Sequence, residues 1–133
     1  MEKQIFLYGT LKRSILNKEQ NFDNIFKTKI LEKHLYYKYD TFILKRRMYL
    51  IKDKIDQKTY IYPGIILDPQ GYPVYGELYS IKNINILDTL DEYEEIEKGL
   101  YKRESIIMAG NETYIYIYNQ KTDNLQEIKT GRF

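Results

Sequence analysis

From Gln4 to Asn119 the chain is a succession of short apolar runs, rich in Tyr and Ile, each cut by turn chemistry before it reaches helical length. That pattern commits most of the sequence to β-structure. Gln4 to Tyr8 is the first such run, ending at Gly9, where the missing side chain permits a positive φ or a close backbone approach. Thr28 to Lys52 reads as two strands interrupted at Tyr39-Asp40-Thr41. Tyr62-Pro63-Gly64 opens the apolar run Ile65-Ile66-Leu67, and Asp68-Pro69-Gln70-Gly71 turns the chain into Val74 to Tyr79. Tyr101 to Met108 and Thr113 to Asn119 flank the tight turn Ala109-Gly110-Asn111. The alternating charges between Lys52 and Lys58 read as a solvated loop.

Two segments carry helical spacing. Asn17 to Phe26 places Phe22, Ile25 and Phe26 at i, i+3 and i+4. Farther on, Ser80 or Asn83 can cap a helix whose apolar members are Ile86, Leu87, Leu90 and Tyr93, with Gly99 as its stop. So many strands with two short helices predict an α+β chain, a small, mostly antiparallel β-barrel flanked by short helices, because closing a sheet removes its edges.

The chain has 133 residues, enough for a hydrophobic core without disulfide or metal staples, and is expected to form a single domain. Its 21 basic and 19 acidic side chains leave a net charge of +2, far from the concentrated positive charge of a dedicated nucleic-acid binder. Having no Cys removes thiolate nucleophiles and thiolate metal sites, and having one His, His34, argues against a His-rich metal centre or a Ser-His-Asp triad. Chemistry is left to carboxylates, hydroxyls, Lys, Arg and backbone dipoles. The first residues lack the apolar core of a signal peptide and no run is long enough to span a bilayer, so a cytoplasmic protein without a membrane partner is expected.

Among the carboxylates, the cluster from Asp91 to Glu97 stands at the C-terminal end of the second helix, where the helix dipole disfavours negative charge. On a wheel of about 100° per residue counted from Ile86, Asp88, Asp91, Glu92 and Glu95 lie outside, whereas Glu94, at roughly 80°, falls on the apolar stripe between Leu90 and Leu87. A glutamate desolvated there beside like charge gains proton affinity and becomes a candidate general base. The alternative is a helix that ends before Glu94 and a cluster that is a solvated acidic turn. Glu77, in Val74-Tyr75-Gly76-Glu77-Leu78-Tyr79, is the rival carboxylate, facing either inward or outward. Tyr8-Gly9-Thr10-Leu11 offers successive backbone N–H groups after a strand end, suited to an anion or a developing oxyanion. It reads equally as a plain strand-ending turn. Lys12-Arg13 and Lys45-Arg46-Arg47 are the basic clusters; interleaved with tyrosines they admit a single-strand nucleic-acid reading, and more simply they guard strand edges. His34, beside Leu35, reads as a surface or packing histidine.

The order of these motifs resembles that of the gamma-glutamylcyclotransferase-like family, in particular its small gamma-glutamylamine cyclotransferase branch. The resemblance is carried by Tyr8-Gly9-Thr10-Leu11-Lys12-Arg13 with Asn17, then Tyr62-Pro63-Gly64, Val74 to Tyr79, Leu90-Asp91-Glu92-Tyr93-Glu94 and Tyr101-Lys102-Arg103. It implies a small β-barrel with a cavity at one end, Glu94 of the Leu-Asp-x-x-Glu motif as catalytic base, and Tyr8, Gly9, Thr10 and Leu11 as substrate-binding residues. Tyr101 and Arg103 are then expected on the wall opposite the helix, with Arg103 alternatively paired to Glu97 or another acid. The implied reaction is cyclisation of a γ-glutamyl compound to 5-oxoproline with release of an amine or amino acid. It implies no cofactor and no metal, and a small-molecule partner rather than nucleic acid, in a monomer or weak homodimer. A non-catalytic relative that keeps the cavity is the competing reading. The sequence departs from the family pattern at Ser14 and Glu95, where glycines are usual, and in the long charged stretch from Lys45 to Lys58.

Overall fold

The computed structural model describes residues 2–9, 32–55 and 57–133. The helix expected from Asn17 to Phe26 lies outside the described residues, as do Thr10, Leu11, Lys12 and Arg13. The described chain runs β1 (Lys3–Leu7), a single helical turn α1 (Glu32–His34), β2 (Leu35–Ile55), β3 (Lys58–Leu67), β4 (Tyr72–Ile81), α2 (Ile86–Tyr93), β5 (Tyr101–Met108), β6 (Asn111–Tyr118) and the short β7 (Gln126–Glu127). The strands form one sheet in the order β3-β2-β4-β1-β6-β5, with β7 paired to β2. Every neighbouring pair is antiparallel except β1 and β6, which run parallel. The architecture is the expected α+β one, a mostly β sheet curled into a half-barrel with α2 against it. Among the described residues no helix is long and apolar enough to cross a membrane.

β1 lies inside the sheet, which explains why it is apolar on both faces. Ile5 and Leu7 join one cluster with Tyr79, Tyr101, Tyr116, Tyr118 and the α2 residues Ile86, Leu87 and Leu90. Phe6 and Tyr8 join the other, with Met48, Ile65, Val74, Leu78 and Ile115.

Two segments differ from their sequence reading. The break expected at Tyr39-Asp40-Thr41 is a bulge in one continuous strand: the β2–β4 register shifts between Tyr37 and Tyr39 and again between Ile43 and Arg46. The first bulge lets Tyr37 and Asp40 face the same way, so the Tyr37 hydroxyl donates to Asp40 Oδ1 at 2.7 Å. The solvated loop expected from Lys52 to Lys58 is instead the end of a hairpin. Pairing continues from Arg46↔Leu67 out to Ile55↔Lys58, and Gln57 turns the chain at φ 66°. Lys52, Lys54 and Thr59 of this ribbon are exposed, while Asp53 between the two lysines accepts the Tyr62 hydroxyl, so charges alternate along a paired strand as they would along a loop.

The half-barrel is tied where its two terminal strands meet. The buried Tyr101 hydroxyl, on β5, donates to the Pro63 carbonyl, on β3, at 2.6 Å. Beside it Gly64 lies so close to Tyr118 of β6 that an added Cβ would stand 2.8 Å from the Tyr118 ring and from Ile51. Glycine is required here by the approach of strands, not by a turn. Truncating the hydroxyl in Tyr101→Phe leaves the Pro63 carbonyl buried without its donor, and is expected to cost about 1–3 kcal/mol of unfolding free energy, measured by urea denaturation. A variant as stable as the parent would show that this bond does not hold the strands together.

Candidate active site

α2 begins at an Asx turn: Asn83 Oδ1 accepts from the Asn85 N–H at 3.0 Å, and the Asn83 carbonyl accepts from the Ile86 N–H at 3.1 Å. Neither expected cap holds: Asn83 makes the turn that leads into α2, but the N-cap is Asn85, with no side-chain capping bond, and Ser80 belongs to β4. At the other end the helix stops at Tyr93, not at Gly99, with Glu94 as its C-cap. The stop is a Schellman motif: the Glu95 N–H donates to the Glu92 carbonyl and the Ile96 N–H to the Asp91 carbonyl, both at 3.1 Å. Glu95 occupies the left-handed position at φ 53°, where glycine is the relaxed choice. Glu95 holds this left-handed position under strain.

The helix ends before Glu94 and the chain turns through an acidic segment with Glu97 and Lys98 exposed, yet Glu94 itself is half-buried. Its charge acts on three buried phenols, one just past β1 and one each from β5 and β6. Burial first, and then Glu94, pushes the Tyr8 hydroxyl well above the ordinary tyrosine range. At Tyr101 burial, the Tyr8 hydroxyl and then Glu94 act in the same direction. At Tyr116 burial and the bond to Asp91 raise the hydroxyl, with Glu94 adding to both. All three stay protonated, and all three are committed as donors: Tyr8 to the Tyr116 carbonyl at 2.6 Å, Tyr101 to Pro63, and Tyr116 to Asp91 Oδ1 at 2.7 Å. Glu94 is the carboxylate whose charge all three phenols share. Gly9, immediately after Tyr8, rests on Pro63, whose ring atom Cγ would lie 3.1 Å from an added Cβ.

Four stretches far apart in the chain are thus brought together, namely Tyr8-Gly9, Pro63-Gly64, the end of α2, and Tyr101 with Tyr116. Thr10 and Leu11 lie outside the described residues. Arg103 pairs with Asp91 rather than Glu97, its Nη1 donating to Asp91 Oδ2 at 2.9 Å. Asp91, which the wheel placed outside, therefore bonds both β5 and β6. Glu77 faces inward, 3% exposed, and accepts the Tyr79 hydroxyl at 2.9 Å. The basic cluster at 45–47 is no continuous patch: Arg46 is 8% exposed, and Arg47 is ion-paired to Asp68 and Glu127.

The family model described as "Gamma-glutamyl cyclotransferase, AIG2-like" matches residues 5–133. The chain belongs to this family. Among solved structures it is similar to the ytfP protein of Escherichia coli, with a TM-score of 0.63 at 23% identity over 98% of this chain and 95% of that one. A structure titled "Gamma-glutamyl cyclotransferase" superposes with a TM-score of 0.61 at 15% identity over 96% of this chain and 70% of that one. An AIG2-like protein from Mus musculus gives 0.54 at 21% identity, over 91% and 78% respectively. At these identities the likeness is one of fold. No curated protein sequence matches the chain.

Two expectations follow from the site. Replacing Glu95 by Gly relieves about 1–2 kcal/mol of left-handed strain against about 0.5–1 kcal/mol of extra freedom in the unfolded chain, so Glu95→Gly should unfold about 0.5–1 kcal/mol later in urea. A loss of stability would mean that the Glu95 side chain contributes more than its strain costs. The raised phenols of Tyr8, Tyr101 and Tyr116 make folding pH-dependent in the alkaline range, because their folded proton affinity exceeds the unfolded value of about 10. Their contribution is fully present below about pH 10 and lost as pH rises above it, so the melting temperature should fall there. Ultraviolet titration should show these tyrosines ionising with unfolding rather than before it.

Proposed function

We propose that the protein is a γ-glutamyl cyclotransferase-type enzyme that converts a γ-glutamyl amine or γ-glutamyl amino acid to 5-oxoproline and the free amine. The observation that carries this reading is the position of Glu94, a half-buried carboxylate at a helix end, its field felt by Tyr8 at the strand end that leads into Gly9. Family membership supports it independently.

The substrate's α-amine attacks its own γ-carbonyl carbon. A C–N bond closes the five-membered ring, and the bond to the leaving nitrogen breaks. Glu94 takes the proton that the attacking amine sheds and returns it to the departing amine, so atoms and charge balance without a co-reactant. Nucleophile and electrophile belong to one molecule, so the protein's main task is to fold the γ-glutamyl chain into its reactive conformer. The backbone N–H groups from Gly9 to Leu11 hold substrate oxygens in this scheme, and Tyr101 forms part of the wall. Arg103, paired with Asp91, belongs to the support of that wall.

The test is incubation with γ-glutamyl amino acids, γ-glutamyl amines and glutathione, followed by mass spectrometry for 5-oxoproline. Glu94→Gln, nearly isosteric, should keep the fold and lower turnover by at least about 10²–10⁴-fold. Wild-type turnover in a folded Glu94→Gln protein removes Glu94 from the mechanism. Calorimetric binding of these compounds without any product replaces the enzyme with a ligand-binding relative.

A further inference from the structure

Asp91 stands one helical turn before Glu94, and each of its carboxylate oxygens is engaged by a different strand. Oδ1 accepts the Tyr116 hydroxyl from β6 at 2.7 Å, and Oδ2 accepts Arg103 Nη1 from β5 at 2.9 Å. Tyr116 has a second tie: its main-chain carbonyl accepts the Tyr8 hydroxyl at 2.6 Å. The helix end that carries Glu94 and the strand end that leads into Gly9 are therefore both referenced to the same residue. Directional bonds of this kind fix the separation between the end of α2 and the Tyr8-Gly9 strand end more closely than the apolar packing of Leu87 and Leu90 alone.

We propose that Asp91 is a positioning residue: its carboxylate, held by Tyr116 and Arg103, sets where Glu94 stands relative to the Tyr8-Gly9 turn and neutralises Arg103 beside it. The catalytic part of this inference rests on Glu94 being the base; the geometric and electrostatic part does not.

The surroundings of Glu94 determine what the pair does. Tyr8 just past β1, Tyr101 from β5 and Tyr116 from β6 remain neutral. Asp53, on β2, accepts the hydroxyl of Tyr62 from β3, and Glu95 is paired with Lys98. Glu92 and Glu97 are exposed to solvent. Among the described residues, Arg103 is the cation bonded to Asp91, one turn from Glu94, and Asp91 is what balances it. Removing one partner of the pair leaves the charge of the other acting on Glu94, with opposite sign in the two cases.

Three nearly isosteric or side-chain-shortening variants separate the roles. Glu94 protonation is followed by carbon NMR of glutamate side-chain carboxyls, its resonance identified by its loss in Glu94→Gln, so no substrate is required. In Asp91→Asn the uncompensated Arg103 favours the carboxylate, and the Glu94 midpoint moves to lower pH. In Arg103→Met the uncompensated Asp91 disfavours it, and the midpoint moves to higher pH. In Tyr116→Phe the charges are unchanged and the midpoint stays. With whichever γ-glutamyl compound the 5-oxoproline screen identifies, Asp91→Asn and Tyr116→Phe should each lower kcat by about 10–100-fold with KM little changed, the signature of lost alignment. Midpoints that do not move, or that move the same way in both charge variants, overturn the electrostatic pairing. Wild-type kcat in folded Asp91→Asn overturns the positioning role. Full turnover in Glu94→Gln is a different failure: it removes the base, while the opposed midpoint shifts still decide whether Asp91 and Arg103 act on Glu94.

Discussion

The hydrogen bond from Tyr101 to the Pro63 carbonyl is the constraint on which the remaining geometry depends. β3 and β5 stand at opposite ends of the sheet order and meet only because the sheet curls. Proline suits the point of contact, since it has no N–H to leave unpaired and its carbonyl is available to a side chain from across the opening. Gly64, next to it, removes the Cβ that would hold Tyr118 away. Without this seam Pro63 would not lie under Gly9, and Tyr101 would not stand within the field of Glu94. The floor of the site and the closure of the half-barrel are one feature.

Against that floor the chain sets a helix end with an unfavourable composition. The last turn of α2 holds acids and no base, so its charge opposes the helix dipole. The structure offsets this from outside the helix. Arg103 supplies the positive charge from β5, Tyr116 supplies a neutral donor from β6, and a Schellman motif satisfies the terminal carbonyls even though its left-handed residue is Glu95. The left-handed strain falls on Glu95, next to the carboxylate that the proposed chemistry needs, in keeping with the concentration of strain at functional sites.

Much of this was legible in the sequence, for reasons that differ by element. The strands β1, β4, β5 and β6 announce themselves through apolar runs bounded by Gly, Pro and Asx turns, since those are local properties. Glu94 was singled out by its place on the apolar stripe; the helix stops one residue short of it, and the side chain is half-buried. Asp91 was missed because a wheel divides residues only into inside and outside, while a carboxylate on the flank can be reached by long side chains from neighbouring strands. The Arg103–Asp91 pair and the Tyr101–Pro63 seam depend on which distant strands become neighbours, and no local pattern records that. The β2–β3 ribbon was misread because charge alternation describes solvent exposure, which a hairpin and a loop share.

The central place of β1 has a consequence for how the molecule acquires its shape. Its neighbours are β4, through Ser80 to Glu77, and β6, through Glu112 to Tyr114, both encoded far downstream. The earliest of the described strands to be synthesised is therefore the one that must wait for almost all the others, and it enters between them as a wedge with two open edges. Such long-range pairing makes assembly slow relative to a hairpin stack of the same size, and leaves an apolar segment in need of shelter until the downstream strands arrive.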